Sequence, residues 1–186
     1  MDGYFARVEA LGATVALTAD HGMNGKTDAS GAPKVIYLQD LLDRWLGKDK
    51  ARVILPITDP YVVHHGALGS FAFAYLPDDA DVSAVARRLA AESGIAAVVE
   101  KAEAARRFEL PEDRIGDLAI IGDAHTALGS ARERHDLSAL DAPLRSHGGL
   151  CEQRVPFILS RAVPDLPTQR LRNFDIFAVA LNAAAA

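Results

Sequence analysis

Six uncharged residues in a row, Thr14-Val15-Ala16-Leu17-Thr18-Ala19, run straight into an acid and an imidazole, Asp20-His21. A continuous apolar run lying between helical stretches suits a strand covered on both faces, which makes a parallel sheet in an α/β layer the predicted host. Residues 20–33 are polar and rich in Gly, Asn, Asp and Ser, so they form the loop at that strand's carboxyl end. Open α/β sheets gather their ligands at such ends. Ahead of the strand, Phe5, Val8 and Leu11 recur at helical spacing, with Asp2 placed to cap a short helix and Gly12 to end it.

Helical and extended patterns then alternate along the chain. Ile36, Leu38, Leu41, Leu42, Trp45 and Leu46 share one side of a helix predicted over residues 35–46, and Gly47 stops it. Between 56 and 112 come extended segments around Tyr61-Val62-Val63 and Phe71-Ala72-Phe73-Ala74-Tyr75. An Asp81-capped helix through Leu89, a short strand at Ala97-Val98-Val99 and a polar helix over residues 100–107 follow. This order makes a small α+β cap inserted in the main sheet. The core resumes with a second buried strand, Gly116-Asp117-Leu118-Ala119-Ile120-Ile121-Gly122-Asp123. A third, Val155-Pro156-Phe157-Ile158-Leu159, and an apolar helix over residues 174–181 complete it. The predicted organisation is a core α/β domain in two segments, 1–55 and 113–186, with the cap subdomain, 56–112, between them. There is no internal repeat.

At 186 residues and 49% hydrophobic content the chain has material for one good core with a small insertion. Its formal net charge of -5, without blocks of like charge, argues against nucleic acid or an anionic membrane as partner. A small anionic ligand would need local cations or metal. No apolar run approaches the roughly 20 residues that span a bilayer, and the first residues lack a secretory pattern. The lone cysteine, Cys151, forbids an internal disulfide and fits a reducing cytoplasm.

Two segments carry chemistry. In Thr18-Ala19-Asp20-His21-Gly22-Met23 the bend at a strand's end can turn neighbouring side chains inward, so that a carboxylate oxygen and a ring nitrogen meet one divalent ion. The same two residues also suit a turn cap and a surface histidine. In Ser146-His147-Gly148-Gly149-Leu150-Cys151-Glu152 a histidine beside glycines sits in a loop just before a strand, and the glycines let backbone approach closely. Taken alone, His147 is more often a loop residue than a ligand.

Taken in order, the two segments resemble the closing half of the alkaline phosphatase superfamily. There, a strand ends in an Asp-His-Gly pattern and a later His-Gly precedes a Glu and a Val-Pro strand. Thr-Ala-Asp-His-Gly-Met-Asn at 18–24 and Arg-Ser-His-Gly-Gly-Leu-Cys-Glu-Gln-Arg-Val-Pro-Phe at 145–157 are most similar to the phosphonoacetate hydrolases among its members. The resemblance spans most of the chain. It implies an alkaline-phosphatase-like layered fold and two zinc ions per complete active site. Asp20 and His21 would be ligands of the ion that activates the nucleophile, and His147 a ligand of the other. It implies a small anionic phosphonate substrate and hydrolysis of the C–P bond of phosphonoacetate to acetate and phosphate; a homo-oligomer is a possible assembly. A carbanion is a poor leaving group, so the substrate carboxylate would take up charge as an enediolate, favoured by cations.

The departure from the family pattern is large. Its threonine nucleophile, a further aspartate ligand, an Asp-x-x-x-His pair and the lysines that grip the substrate carboxylate have no counterpart before Asp20. The chain is thus expected to be the C-terminal part of a longer enzyme, to contain no catalytic nucleophile and to be inactive alone. A phosphodiesterase or phosphomonoesterase of the same superfamily, or a non-catalytic module with an uncovered sheet edge, are the competing readings. Among other residues, His64 and His65 point to opposite faces of an extended segment. His125 and Asp123 read as a loop turn, Cys151 as a packed thiol, and Arg145 and Arg154 as partners of carboxylates. Thr18 and Thr27 do not match the position of the family's nucleophile.

Overall fold

The computed structural model describes residues 1–57, 66, 68–163, 166 and 171–183, and it divides into two compact units. Residues 1–22 and 154–186 form one, residues 23–153 the other. The segment Tyr61-Val62-Val63 and the neighbouring His64 and His65 lie outside the described residues. No helix among the described residues is long and apolar enough to cross a membrane.

The smaller unit is built from the two ends of the sequence. Helix α1 (Asp2–Ala10) leads to strand β1 (Ala16–Thr18), which pairs with β10 (Phe157–Leu159), and α5 (Asp175–Ala183) closes the chain. Two expectations change here. Asp2 lies inside the first turn of α1, where its charge suits the helix dipole, while the Met1 carbonyl accepts from the amides of Tyr4 and Phe5 at the cap position. Strand β1 is antiparallel to β10, its one neighbour among the described residues, with Thr18 opposite Phe157, and its residues are half-buried or exposed. An apolar run specifies that a strand wants cover on both faces; it says nothing about the direction of the strand beside it.

The larger unit holds the main core. Strands β4 (Arg52–Ile54), β5 (Phe71–Tyr75), β6 (Ile95–Glu100) and β7 (Leu118–Gly122) make one antiparallel sheet in the order β4-β5-β7-β6. Strands from both sides of residue 112 thus share a sheet. Every residue of β7 is buried, and alternation divides them between the two faces. Leu118 and Ile120 pack with Val53, Ala72 and Ala74 against α2 (Leu38–Leu46) and α3 (Val82–Ala90). Ala119 and Ile121 pack with Phe73 and Val99 around Ala104 of α4 (Lys101–Phe108). Asp81 caps α3 as its side chain accepts from the Ala84 amide at 2.9 Å.

Helix α2 is shorter than its apolar stripe. Val35, Ile36 and Tyr37 instead form β3 (Val35–Tyr37), which runs parallel to β8 (Ala127–Gly129). Two β-branched residues and an aromatic favour the pleated surface, so this triplet leaves the helical stripe it would fit by spacing. Gly47 ends α2 at φ 99°, a backbone angle that favours glycine. The remaining strands are minimal: within the larger unit, β2 (Asn24–Gly25) lies antiparallel to β9 (Arg145–Ser146), just before His147.

Candidate metal centre

In the smaller unit the Ala19 carbonyl, where β1 ends, accepts a hydrogen bond from Asn173 Nδ2 at 3.3 Å. The next residue, Asp20, is exposed and accepts from the His21 amide through Oδ1 at 3.0 Å. The His21 ring is held at Nδ1. Its Nδ1 lies 2.8 Å from the Gly22 carbonyl, which can only accept, so Nδ1 is the donor. Nε2 is 3.6 Å from Asp20 Oδ2. Two ligands at about 2.0–2.1 Å from one tetrahedral zinc ion stand about 3.3 Å apart, so this spacing fits an oxygen and a nitrogen sharing an ion. A backbone carbonyl on the other ring nitrogen is the usual outer support of a zinc-bound histidine. Within each unit, among the described residues, no three His, Cys, Asp or Glu side chains gather as a complete metal-holding group. Asp20 and His21 therefore fit zinc as part of a ligand set.

His147 belongs to the larger unit and is half-buried. Its carbonyl accepts from the Ser70 amide at 2.8 Å, and Ser70 in turn takes the Gly122 amide from the end of β7 at 2.9 Å. Gly148 follows at φ 99°, and a side chain there would strike Ile57. At Gly149 a Cβ would come within 2.7 Å of Glu152 Oε2. That space is taken because the Gly149 amide donates to Glu152 Oε2 at 2.7 Å while the Glu152 amide returns to the Gly149 carbonyl at 3.3 Å.

Beneath this loop lies an ion pair that sequence reasoning missed. Lys26 is 0% exposed and Glu152 2%. Lys26 Nζ donates to Glu152 Oε1 at 2.9 Å and to the Ala124 carbonyl at 3.0 Å, and Asn24 Nδ2 adds a second donor to Oε1 at 2.6 Å. Burial alone pushes the Glu152 carboxyl up. The bonds from Lys26 and Asn24, the Lys26 charge and the Gly149 amide outweigh it and hold the group below its ordinary value. Nothing in the spacing of residues announces Lys26, which sits in a polar loop 126 positions from its partner. Glu152 was visible only as the acid of the His-Gly motif.

The minor candidates resolve locally. Asp123 Oδ1 accepts from the His125 amide at 2.9 Å, as a loop turn requires, and its other oxygen meets Lys34 Nζ at 3.2 Å. Cys151 is exposed rather than packed, because the short 3₁₀ turn Leu150–Glu152 directs the neighbouring Glu152 inward. Among the described residues, Arg145 Nη2 reaches the Met23 carbonyl at 3.5 Å rather than a carboxylate.

No family model matches the chain. It is similar to a phosphonoacetate hydrolase from Penicillium oxalicum, 62% identical over 40 residues, which are 20% of this chain and 56% of that protein. Two crystal structures of phosphonoacetate hydrolase from Sinorhizobium meliloti 1021 cover 98% of the chain at 62% identity. One, with phosphonoformate, matches at a TM-score of 0.92, and the other, with phosphonoacetate, at 0.91. Murine ectonucleotide pyrophosphatase/phosphodiesterase 5 shares the fold at a TM-score of 0.60 and 17% identity. The chain spans 45% of the length of each of these solved proteins.

Proposed function

We propose that this chain belongs beside the phosphonoacetate hydrolases in the alkaline phosphatase superfamily and supplies part of a two-zinc site that hydrolyses the C–P bond of phosphonoacetate. The observation that carries the reading is the Asp20–His21 arrangement, with Nδ1 tied to the Gly22 carbonyl and Nε2 beside Oδ2. In it Asp20 and His21 hold one ion, and His147, on its braced loop, is a ligand of the second. Bound divalent ions neutralise a phosphonate dianion and lower the pKa of a coordinated hydroxyl or water. The protein's own contribution is placement: the Gly22 carbonyl fixes the His21 tautomer, and the glycines after His147 leave room for close approach to a small anionic substrate. Water and phosphonoacetate give phosphate and acetate, with the C–P electron pair leaving on carbon and that carbon taking a proton. The nucleophilic threonine and the remaining ligands lie, in this reading, outside these 186 residues. A cytoplasmic setting suits the lone free thiol.

The test is an assay of a protein of the relatives' full length that includes this chain, with phosphonoacetate and bis-p-nitrophenyl phosphate side by side. Acetate and phosphate release from the first, abolished by a chelator and restored by zinc, is the expected result. Asp20→Asn, His21→Ala and His147→Ala should each remove about 4 kcal/mol of transition-state stabilisation, about 10³-fold in kcat/KM. Preference for the diester would replace the substrate, and chelator-resistant turnover would remove the metal from the reading.

A further inference from the structure

The Lys26–Glu152 pair is expensive to bury, since two charges leave water for one contact, and an apolar pair of similar volume would serve stability as well or better. Its geometry points to a different use. Glu152 spends Oε1 on Asn24 and Lys26 and Oε2 on the Gly149 amide, two residues past His147. Lys26 adds the Ala124 carbonyl, and its own amide donates to the Leu144 carbonyl, three residues before His147. The pair thus fastens both flanks of the His147 loop, while β2 and β9 hold Ser146 opposite Asn24 and the Ser70 amide holds the His147 carbonyl.

We propose that Lys26 and Glu152 are positioning residues for His147: their buried ion pair fixes the backbone from which the imidazole meets its ion. This rests on the reading of His147 as a zinc ligand. A side chain that supports a metal-binding imidazole through the surrounding shell typically contributes 10- to 100-fold in metal affinity.

The experiment takes a protein of the relatives' full length that includes this chain, carrying ¹⁵N-labelled histidine, titrates it with Zn²⁺ and follows the ring nitrogens of His147, alongside urea unfolding of each variant. His147→Ala tests the underlying reading separately: if its loss leaves zinc uptake by that protein unchanged, the ligand assignment fails and the positioning proposal falls with it. Given a zinc response at His147, Glu152→Gln should weaken it by 10-fold or more and broaden or split the ring signals. The double variant Lys26→Met/Glu152→Met leaves no unpaired buried charge, so its urea midpoint should recover, yet the weakened zinc response should persist. Zinc response recovering together with the midpoint would reduce the pair to a structural one and overturn the proposal. Amide exchange in the unaltered chain reads the clamp without substitution. A Gly149 amide that exchanges only through global unfolding supports it, and one that exchanges as fast as an exposed loop overturns it.

Discussion

Glu152 accepts three hydrogen bonds and faces a cation from which water is excluded, and that makes stability depend on its charge. A carboxyl whose pKa is depressed in the folded state stabilises above its unfolded value, about 4.3, and the contribution is lost as pH falls through the folded value. The urea midpoint should therefore drop on acidification below about pH 5, and Glu152→Gln should flatten that part of the profile. At pH 7 the same substitution strands Lys26 and should cost about 3–5 kcal/mol; a midpoint equal to that of the unsubstituted chain would contradict the burial described. Asp20, His21 and His147 were legible as candidates because acids and imidazoles beside glycines at strand ends are chemically conspicuous. Their support was not. A buried lysine reveals itself only through its partner, and here the partner is brought near by tertiary pairing of β2 with β9.

Where elements were legible, a cap or a stop marked them: Asp81 and Gly47 stand where α3 begins and α2 ends. Where they were not, two patterns overlapped. Val35, Ile36 and Tyr37 fit both a helical stripe and a strand, and pairing with β8 decided between them, a contact 92 positions away in the chain. The edge strand β4 shows how a side chain can stand in for a neighbour. Gln39, on α2, accepts from the Val53 amide and donates to the Ala51 carbonyl, each at 2.9 Å, and so occupies hydrogen bonds that another strand would seek. Gln39→Ala removes both partners at once. It should lower stability by about 1–3 kcal/mol, one to two net hydrogen bonds, and speed exchange of the Val53 amide. Unchanged exchange at Val53 would show that the edge is protected by something else.

Across the molecule, burial is uneven between the two units. Of the buried hydrophobic residues among those described, only Ile176 lies in the unit made from the chain's two ends. That unit also carries Leu11 at 87%, Leu181 at 74% and Phe177 at 70% exposure. Stability follows buried apolar contact, so amides of β1 and β10 should exchange through openings of lower free energy than those of β5 and β7. Limited proteolysis should cut first in α1 or α5; protection there equal to that of the central sheet would contradict the unevenness. Exposed apolar side chains also favour association, so Phe177→Ser with Leu181→Ser should reduce concentration-dependent light scattering. This imbalance was hidden in the sequence, where α1 and α5 look as apolar as helices that find cover. One last detail has practical weight. Cys151 is the chain's single thiol, faces solvent, and precedes Glu152 in the turn that braces the His147 loop. A maleimide fluorophore would attach there at one dye per molecule, giving an optical gauge of that loop's order with no engineered mutation.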